Sequence, residues 1–276
     1  MSLDPERVRR VVRDALEEDI GSRDITTEAT VPEHLRARAV LVAKQELVVA
    51  GLDVAAAVFK ALDPEVVWQP EGREGDRFYP GTVIGAVAGR AAALLTAERV
   101  ALNFLGRLSG VATMTKRYVD AVAGTGVAIL DTRKTTPGLR ALEKHAVACG
   151  GGRNHRFGLD DAVLVKDNHL RAAGSISKAV ESVRATTDLP IEVECDTLEQ
   201  VSEALDSGVD AILLDNMSLD ELRSAVLFIG GRVRLEASGG ITLENVRAVA
   251  ETGVDQISVG ALTHSARSLD VSLELQ

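Results

Sequence analysis

The chain has 276 residues, of which 46% are hydrophobic, 26% charged and only 3% aromatic, and its formal net charge is -10. An acidic chain with no basic tail lacks the electrostatic footprint of a duplex-binding protein, so nucleic acid is not an expected partner. No apolar run approaches the roughly 18 residues of a membrane helix, the charged opening MSLDPERVRRVVRDALEEDI does not read as a signal peptide, and Cys149 and Cys195 form no CxxC pair, so a soluble cytoplasmic protein is expected, without disulfide framework or sequence-evident zinc site.

Residues 4–18 open as a helix, with Asp4 as N-cap, Pro5 at the first helical position and Val8, Val11, Val12, Ala15 and Leu16 on one face. After the turn-rich GSRDITTEATVPE, residues 36–50 alternate as one or two strands broken near 44–46, and a helix follows at 52–62. Residues 65–89 read as strand, turn, strand, punctuated by glycines; the segment contains no lysine, which excludes a carrier hairpin presenting a modified lysine. Residues 91–122 form a long apolar helical region, expected to be interrupted at Ser109 and Gly110. On it Arg99, Asn103 and Arg107 follow at helical spacing, and an arginine there is ordinarily solvated or paired with a local acid such as Glu98.

Beyond residue 125 six short apolar runs recur, at 127–131, 162–166, 191–195, 211–215, 233–237 and 256–260. Helical patterns separate them at 138–147, 175–186, 198–206, 219–228 and 243–251, with Thr197, Ser218 and Thr242 as expected N-caps and Gly208 and Gly253 past the C-termini. Repeated strand and helix implies a parallel sheet. Each run ends in polar or small residues: DTRK, KDNH, ECD, DN, EASGG and SVGA. Ligands of barrels and open α/β sheets sit at that edge, so an enzyme site is expected there. With six counted strands the barrel is incomplete.

The stretch 131–169 gathers Arg133, Lys134, Lys144, Arg153, Arg156 and Lys166 within an acidic chain, a pattern that suits a small polyanion. The last two strand ends, Ser238, Gly239 and Gly240 and then Val259, Gly260 and Ala261, place small residues and helix starts where late barrel strands commonly hold phosphate.

DTRKTTPGLR (131–140), GGGRNHRFGLDD (150–161), KDNH (166–169), VECD, LLDN, ASGGI and SVGALTHS, in this order and spacing, resemble the quinolinate phosphoribosyltransferase family, as do DITTEAT (24–30) and TAERVALNFLGRLSGVAT (96–113). The resemblance implies an α/β fold with an N-terminal α/β sandwich domain at 1–110, to which 267–276 returns, and an incomplete, about six-stranded α/β barrel at 111–266. It implies a homodimer in which Arg99 of one copy reaches the other's site. The implied reaction joins quinolinate to phosphoribosyl pyrophosphate and releases pyrophosphate and carbon dioxide, giving nicotinate mononucleotide for NAD biosynthesis. Arg99, Arg133, His155, Arg156 and Lys166 would hold quinolinate. Thr132, Lys134, Glu194, Asp215, Ser238, Gly239, Gly240, Val259, Gly260 and Ala261 would hold the sugar donor, with Lys134, Glu194 and Asp215 as the catalytic groups. Mg²⁺ would be held mainly by pyrophosphate, with Glu194 and Asp215 as the candidate protein ligands. Two alternatives stand beside this: a related phosphoribosyltransferase of molybdate-transport operons with another acceptor, and an aldolase-like barrel forming a Schiff base on Lys166.

Overall fold

The structure, a computed structural model describing residues 3–276, divides into two compact units. One takes in the chain up to Lys116 with Thr135–Gly151 and Leu262–Gln276; the other is Arg117–Lys134 with Gly152–Ala261. The elements of the first half are α1 (Pro5–Ile20), α2 (Ile25–Thr30), β1 (Arg36–Ala43), β2 (Leu47–Val48), α3 (Leu52–Leu62), β3 (Val67–Pro70), β4 (Arg77–Phe78), β5 (Val83–Arg90) and α4 (Ala91–Ala121). The second half adds β6 (Ala128–Leu130), α5 (Arg140–Cys149), β7 (Val163–Val165), α6 (Asp167–Ala173), α7 (Ile176–Arg184), β8 (Ile191–Cys195), α8 (Leu198–Asp206), β9 (Ala211–Asp215), α9 (Leu219–Ile229), β10 (Arg234–Ser238), α10 (Val246–Ala250), β11 (Gln256–Ser258), α11 (Ala261–His264) and β12 (Val271–Leu275).

In the first unit an antiparallel sheet runs β12-β1-β5-β3, so the last strand of the chain pairs with the first. α1 starts where the Asp4 carboxylate accepts the Glu6 N–H and Pro5 takes the first helical position, and it buries Val8, Val12 and Leu16 as one stripe. The turn-rich stretch after it holds a helix that the composition hides: Asp24 caps α2 by accepting the Thr27 N–H at 2.9 Å, and its other oxygen takes the Thr96 hydroxyl at 2.9 Å.

The expected interruption of α4 is absent; the helix runs unbroken for 31 residues. Ser109 and Gly110 are there for packing. The buried Ser109 hydroxyl exchanges hydrogen bonds with both backbone groups of Ala50. A Cβ on Gly110 would sit 2.0 Å from the Arg267 carbonyl, and one on Gly106 2.5 Å from that of Leu269. The two glycines, one turn apart, let the segment leading to β12 lie against the helix backbone.

The second unit is a six-stranded parallel sheet in the order β6-β11-β10-β9-β8-β7. β6 pairs with β11, the last of the six in sequence, and is not paired with β7, so the sheet is not closed. α7, α8 and α9 bury stripes at helical spacing, such as Ile176, Ala179 and Val180 on α7 or Leu222, Ala225 and Ile229 on α9. Thr197 and Ser218 cap α8 and α9 as expected, each in a capping box with Gln200 or Glu221. Thr242 does not cap. α10 starts at Val246 with Asn245 in the N-cap position, and Asn245 instead accepts the Thr242 N–H through its side chain at 2.8 Å. The core is built of Ala, Val, Leu and Ile, as the low aromatic content requires. Among the described residues no helix is long and apolar enough to cross a membrane.

Candidate active site

Side chains alternate across a strand, so residues two apart share a face. On β8 this pairs Glu192 with Glu194, on β9 Leu213 with Asp215, on β10 Glu236 with Ser238. The register sets Leu213 between Glu194 and Glu236, and Asp215 beside Ser238. At this end of the sheet lies a cavity of about 220 Å³ lined by Thr132, Arg133, Lys134, His155, Arg156, Leu164, Lys166, Glu194, Leu213, Asp215, Glu236, Ser238 and Ser258. Nine of the residues singled out from sequence thus meet in one cavity. Gly239, Gly240, Val259, Gly260 and Ala261 follow the adjacent strands β10 and β11 at the same edge but do not line it. Arg99 is not brought there either: it is exposed on α4 in the first unit, lining a cleft with Arg23, Asp24 and Thr96. Lys144, also in the first unit, is fully buried on α5.

The cations are positioned by local hydrogen bonds. Where β6 ends, Arg153 forms a parallel bridge with Leu130, its N–H donating to Ile129 at 2.8 Å and its carbonyl accepting from Asp131 at 3.1 Å. The next residues are then held by the buried Asp131 carboxylate, which accepts the Asn154 side-chain amide at 2.6 Å and the His155 N–H at 2.9 Å. Arg156 lies beside this anchor, its guanidinium donating to the Ala162 carbonyl at 3.3 Å. Burial, and then the nearby Arg133 charge, push Arg156 below its ordinary value, although a guanidinium stays charged at any working pH. Two guanidiniums kept near each other make this part of the cavity locally cationic.

Lys166, at the end of β7, donates to Glu194 at 2.5 Å. Lys134 is exposed, with its backbone N–H held by the Thr132 hydroxyl at 3.0 Å. Asp215 accepts the Asn216 amide at 2.6 Å, and Asn216, at φ 55°, is the non-glycine residue with left-handed backbone among those described. Gly239 makes that turn possible, since a Cβ there would lie 2.2 Å from the Asn216 side-chain oxygen. An open acidic hollow of about 500 Å³, lined by Asp167, Glu194, Asp196, Asp215 and Asn216, adjoins these residues. Cys195 is buried beside Glu194 and its thiol is pushed up to about 12, by burial and then by the charges of Asp196 and Glu194, so it is chemically silent.

Sequence reasoning missed a cluster beneath the cations. The His155 Nε2 lies 2.9 Å from Glu192 and 3.6 Å from Glu236, while its Nδ1 accepts the Arg156 N–H at 2.8 Å, which makes it the Nε2–H tautomer. Ser258 donates its hydroxyl to Glu236. The available signal was the two-residue spacing, which aims Glu192 and Glu236 into the same interior as Glu194 and Ser238. Burial, and then the charge of Glu192, push Glu236 up to about 7 from an ordinary 4.5. The folded state therefore holds a proton that the unfolded chain releases, and its stability falls as pH rises from about 4.5 to about 7. A Glu236→Gln variant, which mimics the protonated acid, is expected to gain stability over the parent between pH 5 and pH 8, by at most about 3 kcal/mol. Urea midpoints at the two pH values measure it; a difference that does not change with pH contradicts the assignment.

Two family models cover the chain: the quinolinate phosphoribosyl transferase N-terminal domain matches residues 24–109 and the C-terminal domain residues 111–274. The chain is 49% identical to a probable carboxylating nicotinate-nucleotide pyrophosphorylase of Synechocystis, over 94% of this chain and 90% of that protein. It is 46% identical to the corresponding Bacillus subtilis protein, with the same coverage. Among solved structures it matches NadC from Streptococcus pyogenes with a TM-score of 0.96 and 44% identity, over 100% of this chain and 99% of that one. With both domain models matched in order and close relatives covering nearly its whole length, the chain belongs to the quinolinate phosphoribosyl transferase family.

Proposed function

We infer that the protein is a pentosyltransferase that moves the phosphoribosyl group of phosphoribosyl pyrophosphate onto the ring nitrogen of quinolinate, releasing pyrophosphate and carbon dioxide and giving nicotinate mononucleotide. The observation that carries this is the cavity in which Arg133, Arg156 and Lys166 meet the acids Glu194 and Asp215. Its relatives' names support the same reading, among them quinolinate phosphoribosyltransferases of Nicotiana. They do not favour the aldolase or the molybdate-operon alternative.

Quinolinate carries two adjacent carboxylates on a flat ring, and Arg133 and Arg156 can each grip one through parallel hydrogen bonds. Lys166 adds a third charge and at the same time ties the acceptor's site to Glu194. His155, whose Nε2–H is directed at Glu192, contributes by fixing the backbone of Arg156 through its Nδ1. As pyrophosphate departs, the ribose ring gains positive charge at its anomeric carbon; Glu194 and Asp215, at neighbouring strand ends, are placed to stabilise it. The quinolinate nitrogen supplies the electron pair for the new bond, and the carbon–oxygen bond to pyrophosphate breaks. Lys134, exposed at the rim, takes up the leaving group's charge. The small residues Ser238, Gly239, Gly240, Gly260 and Ala261 hold the donor's 5-phosphate at this edge, with Val259, whose N–H donates to the Leu130 carbonyl at 2.9 Å, fixing the second loop against β6.

Oxygen donors alone line the acidic hollow, a set that fits a hard divalent cation. Mg²⁺ held by Glu194 and Asp215 together with pyrophosphate would neutralise the leaving group. Once the ring nitrogen is ribosylated its positive charge stabilises the electron pair left when the adjacent carboxylate leaves as carbon dioxide, so the protein's part in that step is orientation and exclusion of water. A second copy of the chain completes the dicarboxylate grip with Arg99.

The test is release of pyrophosphate and of carbon dioxide from phosphoribosyl pyrophosphate and quinolinate with Mg²⁺, and with nicotinate as control acceptor. Both products are expected from quinolinate, with loss on chelation and recovery on adding Mg²⁺. Turnover of nicotinate but not quinolinate overturns the reading.

A further inference from the structure

A second group of chemistry-bearing side chains lies in the first unit and shares no residue with the cavity just described. His145 and Cys149 are four residues apart on α5, which puts them on one helix face. They face Glu74, from the turn between β3 and β4, which is 75 residues from Cys149 in sequence and so invisible to any local ligand pattern. The Cys149 Sγ lies 3.4 Å from the His145 Nε2 and 3.9 Å from a Glu74 oxygen, and the His145 Nε2 lies 3.9 Å from the other Glu74 oxygen. All three ligand atoms fall within 4.8 Å of one another. In a tetrahedral zinc site with sulfur at about 2.3 Å and nitrogen and oxygen at about 2.0–2.2 Å, the edges between ligands are about 3.3–3.6 Å. The Cys149–His145 edge is of that size, and with a single Glu74 oxygen the other two edges stay within 4.8 Å, so that binding would draw the carboxylate in by up to about 1 Å.

The surroundings favour the same chemistry. Glu74 is oriented by the Gly51 and Leu52 N–H groups at the start of α3, at 2.8–3.1 Å, as a metal-bound carboxylate is by its outer hydrogen bonds. This uses part of its acceptor capacity and leaves lone pairs for a cation. The side chains are 13% exposed for His145 and 22% for Glu74, so an ion could reach them and a water could take the fourth position.

We propose that Glu74, His145 and Cys149 form a zinc-class transition-metal site, a staple that ties α5 to the turn carrying Glu74 and to the start of α3. Binding takes Cys149 as thiolate and releases its proton, so affinity falls as pH is lowered.

The experiment titrates chelator-treated full-length protein with Co²⁺ and with Zn²⁺. One Co²⁺ per chain is expected, with a thiolate-to-cobalt charge-transfer band and the intense visible bands of tetrahedral cobalt; Zn²⁺ is expected to displace it and to raise the thermal midpoint. The thiolate band separates this site from any ion on Glu194 and Asp215, because the other cysteine, Cys195, is fully buried. The band is expected to vanish in Cys149→Ser, a near-isosteric change, and the rise in thermal midpoint to vanish in His145→Ala. Absence of the band in the parent, its persistence in Cys149→Ser, or an unchanged zinc shift in His145→Ala each overturns the proposal.

Discussion

Lys134→Ala and Glu194→Ala are each expected to lower turnover on the order of a hundredfold or more, the scale of losing one well-placed charge that stabilises a transition state. That corresponds to about 2.7 kcal/mol of barrier. The two should fail without unfolding, for different reasons. Lys134 is exposed, and the hydrogen bond of its backbone N–H to Thr132 is one that alanine keeps. Glu194 sits deeper, with 12% of its side chain exposed, but its removal frees a lysine that is itself 44% exposed and can be hydrated in place. The effects should also divide between substrates. Without Glu194 the Lys166 amine is no longer tethered, so KM for quinolinate should change along with kcat; loss of Lys134 should show in kcat and in the donor's KM alone. Steady-state kinetics with each substrate varied at saturation of the other, together with far-ultraviolet circular dichroism, measure both. A near-normal kcat in either variant removes that residue from the chemistry.

Much of this site was legible because a parallel sheet writes its active edge into the chain. Every apolar run is followed by the residues that stand at the strand's C-terminal end, so DTRK, KDNH and ECD point to the cavity before any pairing is known. The order of the strands was not legible. That β6 pairs with β11 and leaves β7 at the other edge depends on tertiary closure, which no local pattern encodes. The acids Glu192 and Glu236 were missed since a carboxylate inside an apolar run gives no sign of being buried until the opposing His155 is placed. Ser109 and Gly110 misled for a related reason. Both weaken a helix considered alone, but a backbone packed against them reverses that preference. Cys149 offers the same lesson, its partners being one turn away and 75 residues away.

Arg107 shows how far a tertiary partner can lie from the local one. An arginine on this helix was expected to be solvated or paired with a local acid, yet the Arg107 guanidinium reaches Glu143 on α5, with Nη2 at 2.6 Å and Nε at 3.1 Å from one oxygen. It also donates to the carbonyls of Thr263 at 2.5 Å and Ala266 at 2.6 Å, joining α4, α5 and the segment before β12 within the first unit. Glu143 is fully buried, and its remaining donors are the Thr136 N–H and hydroxyl, at 3.0 and 2.8 Å. Arg107→Ala therefore leaves a buried carboxylate without its counter-charge and two carbonyls without their donor. The expected loss is about 3–5 kcal/mol, the range for breaking a buried pair from one side, and on the order of 10 °C in thermal midpoint. Much of that cost is the stranded charge. Removing the acid as well, in Arg107→Ala/Glu143→Ala, should thus destabilise by clearly less than the two single losses added together. Urea unfolding of the parent, both single variants and the double measures the coupling, and strictly additive losses would show that the pair contributes nothing as a pair.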